Sequence, residues 1–385
     1  MKRLLPALLI AFILACPSGC YVKQMKQVDV SVDNERAAIS RCVEFLLTTQ
    51  NTTGTWGLPD GSRPGQVFVG TQASHQGFEA ATTALVCMAL LEAHDLGFEV
   101  KQPLQKAIDF LYRLEPSRRS VPRELYSIWS LIFTTQCLAR CVGREVIDIP
   151  DEDIRERIKL WVRRMARCQA ADGGWAYYDF RIGAQKPDSH MVTSFSTGSM
   201  LVTINDIMNT GVQVPPHLIH PAVKSVQRLR TPNKTYIYGN YLRLRPAIAP
   251  NEIKGSLGRA QVGNLALYLF DAGVSVDDMI LGLDRLFEHH HFIEIGRGRP
   301  YPHEAWYATA GYYYFYGHYY AAAVIQQLPP DTQQKYWAQL SQVILNSQQQ
   351  DGSWWDFPMY GYYKHYGSGF ALYTLIQCYK ARNSK

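Results

Sequence analysis

The chain has 385 residues, of which 47% are hydrophobic, 12% aromatic and 19% charged, and its formal net charge is +6. That apolar content excludes a disordered chain and is enough for a large core. Basic residues are scattered apart from short clusters such as Arg297-Gly298-Arg299, which excludes a nucleic-acid-binding surface.

Residues 1–20 stand apart. Lys2 and Arg3 precede an apolar run from Leu4 to Leu14, and Ala15-Cys16-Pro17-Ser18-Gly19-Cys20 follows. This order reads as a secretory signal, with an apolar run too short to span a bilayer. The segment resembles a bacterial lipoprotein signal, in which a cysteine after small residues is acylated; Cys16 and Cys20 both fit, and ordinary cleavage without a lipid is the alternative. The expectation is an exported protein, held on the periplasmic or outer face of a bacterial envelope or secreted. A linker over 21–34 then leads into one domain, 35–385. Outside the signal, Cys42, Cys87, Cys137, Cys141, Cys168 and Cys378 show no metal-type spacing and read as buried free thiols.

The informative pattern is Gln-x-x-x-Gly-x-Trp, found as Gln50…Gly54…Trp56, Gln169…Gly173…Trp175 and Gln348…Gly352…Trp354. The copies are 119 and 179 residues apart, about two and three times 60, so eroded copies belong near 110, 229 and 288. An amphipathic helix ends at each of the six positions. Their apolar stripes include Ile39/Cys42/Val43/Leu46, Ile158/Trp161/Val162/Met165 and Trp337/Leu340/Ile344. A second helix, apolar around most of its circumference, follows each anchor: 78–96, 124–142, 192–208, 258–272, 305–328 and 366–382. Helices apolar on one stripe belong outside, and helices apolar all round belong inside. The predicted fold is therefore all-α: a closed (α/α)6 toroid of six helical hairpins in two concentric rings. Within each anchor, Gln is expected to bond exposed backbone with its amide, Trp to pack on that amide, and Gly to supply the turn.

These motifs resemble the QW repeats of squalene–hopene-type cyclases, and the architecture is similar to the prenyltransferase and squalene oxidase repeat of the terpenoid cyclase and protein prenyltransferase superfamily. The resemblance covers residues 35–385 and implies a hydrophobic cavity for isoprenoids. The family's chemistry does not carry over residue by residue. An Asp-x-Asp-Asp acid motif is missing: Ser275-Val276-Asp277-Asp278 lacks the first Asp and reads as a helix cap, as does Asp151-Glu152-Asp153. Asp-x-Cys, needed for the prenyltransferase zinc, and Asp-Asp-x-x-Asp are missing too. No cofactor or metal site is predicted, and His289-His290-His291 reads as an exposed helix end.

Aromatic and histidine residues take the place of those motifs. Residues 301–320 and 354–373 hold 19 of the 47 aromatic residues, a concentration that suggests a cavity wall. Ionisable groups recur near the starts of the inner helices, which converge at one mouth if that ring is parallel. The catalytic candidates are Asp188, at the place analogous to the cyclase acid, with His190, Tyr316 and His318. The ligand-binding candidates are His75, Glu79, Glu124, Arg259, His303, Trp306, Tyr312, Tyr313, His365 and Tyr366. The leading expectation is a protein that binds or transforms an isoprenoid ligand. The alternatives are a polysaccharide lyase-like toroid, using Tyr316, His318, His190 and Arg259, and a non-catalytic scaffold.

Overall fold

The computed structural model describes residues 29–60, 70–121, 124–177 and 187–383. The proposed acylation sites Cys16 and Cys20 lie outside them. Among the described residues there are thirteen α-helices and no strand, only two isolated bridges.

The outer helices are α1 (Val32–Thr48), α3 (Lys101–Arg113), α5 (Asp151–Cys168), α7 (Pro216–Leu229), α9 (Val276–Glu288) and α12 (Pro330–Ser347). The inner helices are α2 (Gln72–Asp95), α4 (Ile128–Cys141), α6 (Ser194–Asn209), α8 (Leu257–Leu269), α11 (Tyr313–Ile325) and α13 (Tyr363–Asn383), and a short α10 (His290–Glu294) follows α9. Each inner helix packs on its two inner neighbours, and α13 packs on α2, so the ring is closed. This is the expected α/α toroid. Its inner helices are buried on nearly every side, whereas outer helices such as α5 bury one stripe of Ile154, Ile158, Trp161, Val162 and Met165.

The Gln-Gly-Trp turns explain how neighbouring outer helices are joined. Nε2 of Gln50 donates to Gly54 O and Pro103 O, both at 2.9 Å. Gln169 donates to Gly173 O (2.7 Å) and Leu218 O (2.8 Å), and Gln348 to Gly352 O (3.0 Å) and Ala38 O (2.8 Å). One bond closes the glutamine's own turn, and the other reaches the next outer helix. For Gln348 that next helix is α1, so the same device closes the outer ring. The tryptophans do more than pack. Their indole N–H groups donate to the last turn of the preceding outer helix, at Leu46 O, Met165 O and Ile344 O, 2.8–3.0 Å away. Their backbone N–H groups donate to inner-helix hydroxyls of Thr83, Thr197 and Ser368. The glycines have φ of +91°, +97° and +85°, and a Cβ on Gly173 would lie 2.3 Å from the Pro221 carbonyl carbon. Both the backbone conformation and the space there demand glycine.

The eroded fourth copy keeps this geometry with other residues. Arg230, Lys234 and Tyr236 stand where Gln, Gly and Trp stand elsewhere, and the turn bonds Thr231 N→Thr235 O and Lys234 N→Thr231 O recur, both at 2.9 Å. Lys234 takes φ +61°. Arg230 pairs with Asp278 at 3.0 Å, again reaching the next outer helix, and Lys234 pairs with the same carboxylate. Ser275 and Asp278 form a capping box at the start of α9. Burial alone would raise the Asp278 pKa, but hydrogen bonds from Lys234, Ser275 N and Arg230 hold it at about 2.

Two expectations need correction. The fifth inner helix starts at Tyr313 rather than 305, which leaves Trp306 and Tyr307 in a separate single 3-10 turn, Trp306–Ala308. The middle residue of the His289–His291 run is not an exposed helix end: His290 Nε2 lies 3.2 Å from Nε2 of the fully buried His318. The six cysteines are unpaired, and five of them are buried.

Candidate functional site

The described residues enclose a cavity of about 280 Å³ on the barrel axis. Its walls come from the N-terminal halves of five inner helices: Phe78, Ala81, Thr82 and Leu85 of α2; Trp129 and Phe133 of α4; Phe195 of α6; Tyr313 and Tyr316 of α11; Tyr366 and Phe370 of α13. Loop residues Tyr126, Tyr177, Pro302, His303, Tyr312, Phe357 and Met359 complete it. Parallel inner helices place their starts at one mouth. Each start there carries a large aromatic in its first two turns, which is why the cavity is walled by ring faces and edges. Phe195 is central, with Tyr238 and Tyr313 edge-on to it at 5.2 and 5.3 Å and Trp129 stacked at 6.1 Å.

Of the predicted ligand-binding residues, His303, Tyr312, Tyr313 and Tyr366 line the cavity, and so does the predicted catalytic Tyr316. Tyr316 is tied down: its hydroxyl donates to Phe195 O (3.0 Å) and meets Ser199 Oγ at 2.7 Å. The Tyr366 hydroxyl donates to Asp356 Oδ1 at 2.6 Å. Asp356, which the sequence reading missed, is fully buried and also accepts from Phe315 N at 3.0 Å, capping α11. Burial lifts its pKa to about 7 despite those hydrogen bonds.

The remaining candidates are placed elsewhere. Asp188 accepts from His190 N at 3.0 Å in a short exposed turn, and His190 lies beside Tyr241, so neither lines the cavity. His318 belongs to α11 but is outside the cavity lining, bonded to Tyr314 O at 2.6 Å and to His290. Burial lowers the pKa of His318 to about 3 and that of His290 to about 4. Arg259 is buried beneath the wall, between the rings of Tyr238 and Tyr313, and donates to Pro250 O. Trp306 is 70% exposed. His75 contacts Tyr360 and Tyr362, Glu79 accepts from Thr55 Oγ1 at 2.8 Å, and His365 stacks on Phe45; none of the three lines the cavity. Glu124 is fully buried, accepts weakly from Ser120 N at 3.4 Å, and is likewise outside the lining. The lyase set is thereby dispersed: only Tyr316 among Tyr316, His318, His190 and Arg259 reaches the cavity.

At the rim, three tyrosine hydroxyls and one imidazole form a chain. Tyr177 and Tyr238 hydroxyls are 2.7 Å apart, Tyr238 and Tyr312 hydroxyls 3.4 Å apart, and Tyr312 OH lies 3.1 Å from His303 Nε2. His303 Nδ1 is 2.7 Å from Ala308 O. A carbonyl can only accept, so Nδ1 carries the proton and Nε2 accepts from Tyr312. Burial lowers the His303 pKa, which favours this neutral form. Among the described residues no three His, Cys, Asp or Glu side chains gather as a metal site. Among the described residues no helix is long and apolar enough to cross a membrane.

No family model matches the chain, and no curated protein matches it. Among solved structures, D-mannose isomerase aligns with a TM-score of 0.54 and 12% identity, over 92% of this chain and 98% of that one. A possible GH105 family member from Salmonella enterica aligns with a TM-score of 0.50 and 13% identity, over 93% and 96%. Type II terpene cyclase MstE from Scytonema gives a TM-score of 0.49 and 12% identity, over 92% and 99%. At these identities the likeness concerns the α/α toroid and says nothing of chemistry.

Proposed function

We propose that this protein binds a hydrophobic, isoprenoid-type molecule in its central cavity. The observation that supports this reading most is the lining itself: no Lys, Arg, Asp, Glu, Asn or Gln is among the described residues around the cavity. A uronate or a neutral sugar needs charged or amide groups to replace its lost hydration, and an unmet polar group costs about 1–3 kcal/mol. An alkenyl chain has no such need and gains about 0.8 kcal/mol for each buried methylene. The ring faces would also stabilise positive charge if the ligand is transformed through a cation, and Asp356 reaches the cavity through Tyr366. The cavity volume is near the lower end of the roughly 300–1,000 Å³ usual for ligand sites, which suits one small molecule better than a polymer.

The deciding experiment is a titration of Trp129 fluorescence, with Trp129→Phe as the blank. A saturable response to a short isoprenoid and none to neutral or uronate oligosaccharides is the expected result. A response to sugars alone, or new unsaturated-uronate absorbance, would replace this reading with the carbohydrate one.

We also propose, from the order of Lys2-Arg3, apolar run and small residues before Cys20, that the chain is exported and tethered through an acylated cysteine. Mass spectrometry of the mature N-terminus tests it: a diacylglyceryl-modified Cys16 or Cys20 is expected, and an unmodified terminus at another residue would overturn it.

A further inference from the structure

The inner helices close the cavity at its deep end with side chains that meet across the barrel. Lining residues run inward from the mouth and stop at Leu85 of α2, Phe133 of α4, Tyr316 of α11 and Phe370 of α13. From Phe78 to Leu85 that is two helical turns, about 10 Å of depth. The ring order of the inner helices is α2, α4, α6, α8, α11, α13, so α4 and α13 flank α2 rather than each other. The ring of Phe133 nevertheless meets that of Phe370 edge-on at 5.6 Å, inside the barrel. About one turn deeper, the Tyr319 hydroxyl of α11 donates to Gln136 Oε1 of α4 at 3.3 Å, and these two helices stand opposite each other in the ring. Both residues are buried, and neither lines the cavity. Behind them the axis is filled by polar and charged groups: Gln136 Nε2 donates to Asp206 Oδ2 at 2.9 Å, and Arg140 pairs with Asp206 at 3.2 Å and lies over the Tyr373 ring.

Resting on the apolar-ligand reading above, we infer that the Phe133–Phe370 pair is the floor that sets the longest isoprenoid the cavity accepts, a ten-carbon chain. At the packing density of protein interiors, roughly 0.74, a cavity of about 280 Å³ takes about 200 Å³ of ligand. That is enough for a ten-carbon isoprenoid and short of a fifteen-carbon one. The floor resists a longer chain because it has polar groups behind it. Pushing the two rings inward drives them into the Tyr319–Gln136 hydrogen bond, and separating those buried partners without replacing them is costly. Trimming Phe133 opens space only as far as that bond, which is room for one more five-carbon unit. The two phenylalanines touch the inner end of the ligand and set its length; they take no part in any chemistry at its head.

The experiment titrates geraniol, farnesol and geranylgeraniol, isoprenoid alcohols of ten, fifteen and twenty carbons, onto the full mature chain and follows Trp129 fluorescence. Geraniol is expected to bind the unaltered protein at least about ten-fold more tightly than either longer alcohol. In Phe133→Ala the order of the first two should reverse, with farnesol at least about ten-fold tighter than geraniol, because the added unit buries further methylenes. Geranylgeraniol should remain the weakest, stopped at Gln136 and Tyr319. Phe370→Leu trims the opposing ring with less loss of packing and keeps the test open if Phe133→Ala does not fold. It should shift the farnesol-to-geraniol ratio in the same direction by at least about three-fold. Farnesol binding the unaltered protein as tightly as geraniol would overturn the length inference and leave the apolar-ligand reading standing. So would a ratio unmoved in the folded variants, or geranylgeraniol binding Phe133→Ala as tightly as farnesol. Failure of all three alcohols to bind the unaltered protein would overturn both.

Discussion

The side-chain amide of Gln169 donates to the backbone carbonyl of Leu218, 2.8 Å away, and so joins the end of α5 to the first turn of α7. Its second proton goes to Gly173 O. Gln50 and Gln348 repeat the arrangement, the latter between the last outer helix and the first. Replacing Gln169 by Leu removes two buried hydrogen bonds, one of them the tie to α7. A loss of about 2–4 kcal/mol is expected in chemical denaturation. Gln50→Leu should lose somewhat less, because its site is only partly buried. A loss under 0.5 kcal/mol in both, as an order-of-magnitude bound for surface changes, would show that the turns are not structural clamps.

Gly173→Ala should be worse than either glutamine change. It forces a Cβ into the Pro221 backbone at a φ of +97° that L-residues avoid. The expected outcome is a loss of roughly 3 kcal/mol or more, or failure to accumulate folded protein. Alanine at Gly211, whose φ is also positive but whose Cβ would meet nothing within 4 Å, separates strain from clash and should cost about 1 kcal/mol.

The His290–His318 pair makes stability depend on pH. Both pKa values are lowered, to about 4 and about 3, against 6.5 for an unperturbed histidine. Between those limits the unfolded chain binds protons that the folded one refuses. The pair's contribution is therefore intact above about pH 6.5 and is lost as the pH falls, at up to about 1.4 kcal/mol per pH unit for each proton. His318→Leu should flatten the fall in denaturation midpoint between pH 6.5 and 4.

Asp356 has the opposite sign. Its carboxyl is raised to about 7 from 3.8, so the folded state holds a proton that the unfolded state releases. Its contribution is present below about pH 3.8 and is lost as the pH rises through 7. Asp356→Asn, which keeps an acceptor for Tyr366 or Phe315 N, should remove this slope. An Asp356→Asn variant with an unchanged slope between pH 4 and 8 would contradict the assignment.

Much of the ring was legible from the residues. The period of 60 located six outer helices, and helices apolar all round marked the inner ones, because burial on every side leaves no polar face to write. The fourth anchor was invisible to a Gln-Gly-Trp search, since Arg230, Lys234 and Tyr236 preserve its bonds with different chemistry. The cavity was half legible. Tyr312, Tyr313, Tyr316 and Tyr366 stood out through local crowding, whereas Trp129, Phe133 and Phe195 are single aromatics in apolar helices and look like core in sequence. His190, Trp306 and His365 show the reverse: lying near an inner-helix start does not fix which way a side chain points, and the first two sit in short turns before α6 and α11 while His365, on α13, stacks on Phe45 of α1. Asp356 gave no local signal because its partners, Phe315 and Tyr366, are 41 and 10 residues away.

The cavity claim is tested most directly by what the protein carries. Protein purified from its natural host, extracted with organic solvent and analysed by mass spectrometry, should yield a small isoprenoid-type lipid in near-stoichiometric amount. Ala81→Trp, which fills the cavity from α2, should lose it while remaining folded by circular dichroism. An extract without such a lipid, or one equally abundant in Ala81→Trp, would contradict the account.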